Sequence, residues 1–104
     1  MTTLPGKAEA YHSTKVFNAS TVPAKLTEQH NTKQGVWGRI EAISGRLHLT
    51  RCHGTDDGEA TEIIHAGDYA VVAPQEVHFV TLEDNTEFKV TFYREPSTGS
   101  GQRA

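Results

Sequence analysis

Apolar and polar positions alternate in short runs along the middle of the chain, and no stretch sustains a helical period. Gly35, Gly38, Gly45, Gly54, Gly58 and Gly67 cut this region into pieces shorter than an ordinary helix. Between them lie runs rich in β-branched and aromatic residues: Val36–Ile43, Arg46–Arg51, Ala60–His65, Tyr69–Ala73, His78–Leu82 and Glu87–Tyr93. Arg46-Leu47-His48-Leu49-Thr50 and Glu87-Phe88-Lys89-Val90-Thr91-Phe92 alternate at period two, the repeat of a half-buried strand. Strands this short, separated by turn signals, predict an all-β sandwich or barrel with at most a turn or two of helix. Ser44-Gly45 reads as a two-residue hairpin loop, and Gly54–Gly58 and Glu83–Thr86 as longer polar turns. Pro23 and the residues after it would tolerate a helix, yet Ala24–Lys33 has too little apolar content for a buried stripe and is expected to be extended.

Length and charge narrow the function. The chain has 104 residues, 36% hydrophobic and 22% charged, which suits one globular domain over 1–95 followed by a flexible tail over 96–104. A net charge of −3 with scattered lysines and arginines excludes a clustered basic face, so nucleic acid is not an expected partner. The longest strictly apolar run, Tyr69–Ala73, is far short of the ~20 residues of a membrane span. No apolar stretch near Met1 reads as a signal peptide, and the lone Cys52 suits a reducing compartment, so the expected location is the cytoplasm.

Six histidines provide most of the candidate chemistry. His12, His48, His53 and His65 lie in polar or turn-flanking contexts and read as surface residues. His30 and His78 stand out by their surroundings. Gly67 precedes His78 by eleven residues with Pro74 between, so one strand ends, a tight turn follows, and the returning strand opens with an imidazole. Glu28, His30 and Thr32 are spaced so that a strand would set all three on one face. Imidazole with carboxylate is a ligand set for zinc, iron, nickel or manganese. The alternative is that both histidines are hydrogen-bonded core residues. Cys52 and His53 are neighbours and would point to opposite faces of a strand, and no phosphate-binding loop, dinucleotide-binding or paired-cysteine motif is present.

The segments Glu28-Gln29-His30-Asn31-Thr32-Lys33, Gly35-Val36-Trp37-Gly38, Pro74-Gln75, His78 and Phe92-Tyr93 together resemble the small cupins of the TehB amino-terminal domain and YeaR-like family, over nearly the whole chain. The resemblance implies a cupin-type double-stranded β-helix, a jelly-roll barrel with its ligand site inside. His30 falls on the first histidine of the cupin pattern and Thr32 on the second, while Gly38 takes the place of a glutamate ligand if Gly45 is the motif's glycine. A register with an insertion aligns Glu28 and His30 with the histidine pair instead. Glu76 stands in the usual glycine region of the second motif.

The family further implies a role in tellurite or oxidative stress. The chain ends where a methyltransferase part would begin, so an accessory module is expected. The metal set expected from these residues is His30, His78 and Glu28, binding a divalent transition metal together with a small molecule or oxyanion, in a homodimer. The competing expectation is a metal-dependent dioxygenase or isomerase in which Glu28 or Glu76 completes a site of two histidines and one carboxylate. A dry structural dimerisation domain is a third.

Overall fold

The computed structural model describes residues 3–52 and 59–95, and these form seven strands and one 3-10 turn. In chain order the strands are β1 (Glu9–Ser13), β2 (Val36–Ser44), β3 (Arg46–Cys52), β4 (Glu59–His65), β5 (Tyr69–Val72), β6 (His78–Leu82) and β7 (Glu87–Arg94). One sheet has the order β1-β7-β2-β5 and the other β4-β3-β6, every pairing is antiparallel, and neither sheet closes on itself. All six strands expected from the sequence are present, with ends displaced by at most one residue.

Period-two alternation explains which faces meet. Leu47 and Leu49 on β3 are fully buried, whereas His48 between them is half-exposed. Ile40 and Ala42 on β2, with Phe88 and Val90 on β7, face Leu47, Leu49, Ile64 and Val80 of the other sheet, and the core lies between the layers. Burying each of the larger side chains stabilises the fold by about 1.5–3 kcal/mol.

Two local expectations are corrected, and one strand was not expected. Ser44-Gly45 does not close a hairpin, because β2 and β3 belong to different sheets and the chain turns a corner there. A hairpin loop and a corner both demand a residue with positive φ, so the sequence signal is the same; Gly45 has φ +71°. The corner is pinned by the buried Thr86, whose hydroxyl donates to the Arg46 carbonyl (2.8 Å) and accepts from the Arg46 N–H (3.1 Å). Ala24–Lys33 is not extended throughout. Pro23 leads into a 3-10 turn at Ala24–Leu26, bends follow, and strand-like pairing appears only at His30. Finally, β1 has no counterpart among the expected strands. It is exposed along its length, so no hydrophobic alternation announces it, and backbone pairing with β7 holds it.

The expected turn at Glu83–Thr86 joins β6 to β7, with Asn85 at φ +64°. The expected turn at Gly54–Gly58 and the tail at 96–104 lie outside the described residues. No helix among the described residues is long and apolar enough to cross a membrane.

Gly45 and Gly35 separate two costs of a left-handed glycine. A Cβ on Gly45 would sit 2.6 Å from Thr86 Oγ1 and 2.7 Å from its Cα, whereas one on Gly35 (φ +78°) would meet nothing within 4 Å. Gly35→Ala is expected to cost about 1 kcal/mol for conformation alone. Gly45→Ala adds an overpacking cost of about 1–3 kcal/mol. Urea unfolding of the two variants checks the difference; equal losses would contradict the pinned corner.

Candidate functional site

The turn that delivers His78 is held from three sides. After β5 the chain reverses at Pro74-Gln75, where Gln75 takes φ +63°. Thr32, buried, grips the reversal: its hydroxyl donates to the Ala73 carbonyl (2.9 Å) and accepts the Gln75 N–H (3.0 Å). The Glu76 carboxylate accepts the Ala73 N–H (2.8 Å) and an N–H of Arg51 (3.1 Å), and Arg51 also pairs with Glu62 at 2.9 Å. These contacts leave the Glu76 carbonyl to accept the Nδ1–H of His78 at 2.7 Å.

His30 arrives on the opposite segment and joins His78 through the backbone. The His30 N–H donates to the His78 carbonyl (3.0 Å) and the His78 N–H returns the bond to the His30 carbonyl (2.8 Å). The two rings lie 4.2 Å apart between centroids, tilted by 59°. The Nδ1 of His30 is 2.8 Å from the Glu28 carbonyl, the same two-residue reach that His78 makes to Glu76. A carbonyl oxygen only accepts, so Nδ1 carries a proton in both rings, which leaves Nε2 as the position that can offer a lone pair. A second nitrogen anchored to a carbonyl is the usual support of a metal-binding histidine.

Burial pushes the His78 imidazole below its ordinary pKa. The bond to the Glu76 carbonyl opposes this, His30 adds to it, the Glu76 carboxylate opposes it, and Arg51 adds to it. The neutral, lone-pair-bearing form is thereby favoured near neutral pH.

Both rings line a cavity of about 510 Å³ between the sheets. Its walls are largely apolar, with Phe17, Ile40, Val72, Val80 and Phe88 among them. Gly38 belongs to the wall, and a Cβ there would come 3.0 Å from Val72 Cγ2, so glycine lets the Val72 side chain pack against the β2 backbone. Tyr11, His12, Lys25 and Lys33 also line the cavity, all exposed at the rim, and none of them was expected as a site residue from the sequence. They sit on segments whose position depends on long-range packing.

The structure brings His30 and His78 together and places Glu28 differently. The shared-face argument needed a strand, but residues 27–29 form bends, so Glu28 is exposed and contributes its carbonyl rather than its carboxylate. Among the described residues, no three of His, Cys, Asp and Glu gather where they could hold a metal ion. Glu76 is already engaged by Arg51 and Ala73. Thr32 clamps the turn, and Gly38 offers no donor.

Of the other histidines, His12 is exposed and stacks on Phe92, and His65 is exposed. His53 lies outside the described residues. His48 is half-exposed and bonded to Glu83, whose carboxyl is held below its usual range by that bond first, with desolvation opposing it and Arg46 assisting.

The lowered pKa of His78 has a definite sign in stability. Below about pH 6.5 the unfolded chain takes up a proton that folded His78 refuses, so stability present above that pH is lost until the folded group itself titrates. Urea unfolding of the metal-free protein from about pH 7.5 downward is expected to show this loss, with a slope of at most one proton from this group. His78→Asn should flatten the profile, and an unchanged profile would contradict the assignment.

Comparison with known proteins places the chain in a family. Residues 12–90 match the TehB-like domain. Over 85 residues, 80% of the chain, the sequence is 31% identical to the probable S-adenosyl-L-methionine-dependent methyltransferase TehB of Haemophilus influenzae strain Rd, and 29% identical to that of strain 10810. The chain spans about 30% of the length of these curated relatives.

Two solved structures are similar. One is a crystal structure of a protein from Escherichia coli K12, at 26% identity and a TM-score of 0.84, covering 93% of this chain and 100% of that one. The other is the crystal structure of TehB from Haemophilus influenzae, at 28% identity and a TM-score of 0.77, covering 86% of this chain and 32% of that one. With matched residues running from the end of β1 into β7, the chain belongs to the TehB-like domain family.

Proposed function

We propose that the chain is a ligand-binding domain, a small cupin-type jelly roll whose paired imidazoles hold one divalent transition metal ion. The observation that carries this is the pair of bonds from Nδ1 to the Glu28 and Glu76 carbonyls, which leaves two Nε2 lone pairs on rings lining one cavity. Neutral imidazoles anchored in this way suit zinc, iron, nickel or manganese. Two protein ligands leave the remaining positions to water or a small anion, toward which the bound ion would act as a Lewis acid.

His30 and His78 bind, their carbonyl partners fix ring orientation, and the apolar walls limit access of water. The described carboxylates favour holding over turnover, because Glu28 is exposed and Glu76 is committed to the turn. The methyl transfer named for the curated relatives forms no part of this assignment. Family likeness supports a place in a tellurite or oxidative stress response. The modest core of a 104-residue chain supports association as a homodimer, and the single cysteine supports a cytoplasmic location.

Zinc titration by calorimetry, followed by elemental analysis after desalting, tests the site. One ion per chain is expected. His30→Ala and His78→Ala should each lower affinity by at least about 100-fold, a loss at the upper end of what even removal of a supporting partner costs. His48→Ala should leave binding intact. Full stoichiometry in both site variants would overturn the proposal.

A further inference from the structure

A bare metal ion with a small oxyanion fills only a corner of the space beside the two imidazoles. The cavity of about 510 Å³ falls within the 300–1,000 Å³ that accommodates small organic ligands. Phe17, Ile40, Val72, Val80, Phe88 and Val90 all line it. A hydrated inorganic anion would leave these walls facing water, and about 25 cal/mol is forgone for each Å² of apolar surface left uncovered.

Charge sets the other half of the specificity. Among the described lining residues, the lysines are Lys25 and Lys33, and there is no aspartate or glutamate. Both lysines are exposed, and neither makes an ion pair with a described residue.

We infer that the occupant is an organic anion with an apolar body, an aryl or medium-chain carboxylate, whose body lies between the sheets and whose charge is met by Lys25 and Lys33. This deepens the ligand-binding assignment and rests on the cavity being a ligand site, but not on metal being present. Shape and wall chemistry select the body, and the rim selects the charge.

Calorimetric titration with 2-naphthoate, 2-naphthol and sulfate, each against metal-free and zinc-loaded protein at low salt, tests the inference. One naphthoate per chain is expected, with naphthol at least about tenfold weaker and sulfate weaker still. The double exchange K25E/K33E alters only exposed positions; it should weaken naphthoate about tenfold and leave naphthol unchanged.

Sulfate binding as tightly as naphthoate, indifference of naphthoate to the lysine exchange, or no naphthoate binding would each overturn the inference. Zinc binding without naphthoate binding removes this inference alone. Naphthoate binding without zinc binding removes the metal assignment alone.

Discussion

The reciprocal backbone bonds between His30 and His78 are the contact on which the rest of the site depends. They tie the segment after the 3-10 turn to the first residue of β6, and so place a covering stretch of chain beside the gap between the sheets. The same pair sets the two rings 4.2 Å apart before any ligand is considered. Thr32 repeats the attachment two residues further on by gripping the Pro74-Gln75 reversal. Loss of these few bonds would free the segment carrying Leu26, His30 and Lys33 and open the cavity along one side.

The chain changes sheet often. The steps from β2 to β3, β4 to β5, β5 to β6 and β6 to β7 all pass from one sheet to the other. Each crossing needs a corner with unusual backbone, which is supplied at Gly45, Gly67, Gln75 and Asn85, all with positive φ. The corner at Gly45 is backed by the buried Thr86, so two crossings brace each other at the end of the core. The cavity lies beside the imidazole pair, and the core residues Phe17, Ile40, Val72, Val80, Phe88 and Val90 form its wall.

The strands were legible because alternation is local: Leu47-His48-Leu49 carries its own evidence of an inside and an outside. What those strands pair with was not legible. Ser44-Gly45 has the residues of a hairpin because a corner between sheets places the same demand on the backbone. The strand β1 escaped notice since none of its residues is buried, and only hydrogen bonding to β7 defines it. At the site, the meeting of His30 and His78 agrees with the turn-and-return pattern around Pro74 and with the family resemblance. The carboxylate partner was misplaced because the face shared by Glu28 and His30 presupposed a strand where the chain bends. Lys25 and Lys33 were not expected at the site, because an exposed lysine in a loop looks the same whether or not a cavity lies beneath it.

The central claim is that both Nε2 atoms carry open lone pairs and act on one ion. Long-range proton–nitrogen correlation spectra of the histidine side chains read this directly, first on metal-free protein near pH 7.5 and then through a zinc titration. The account predicts the Nδ1–H form for both His30 and His78, with the two Nε2 resonances shifting together and completing at one equivalent. Protonated Nε2 atoms in the free protein, or a shift confined to one ring, would contradict it.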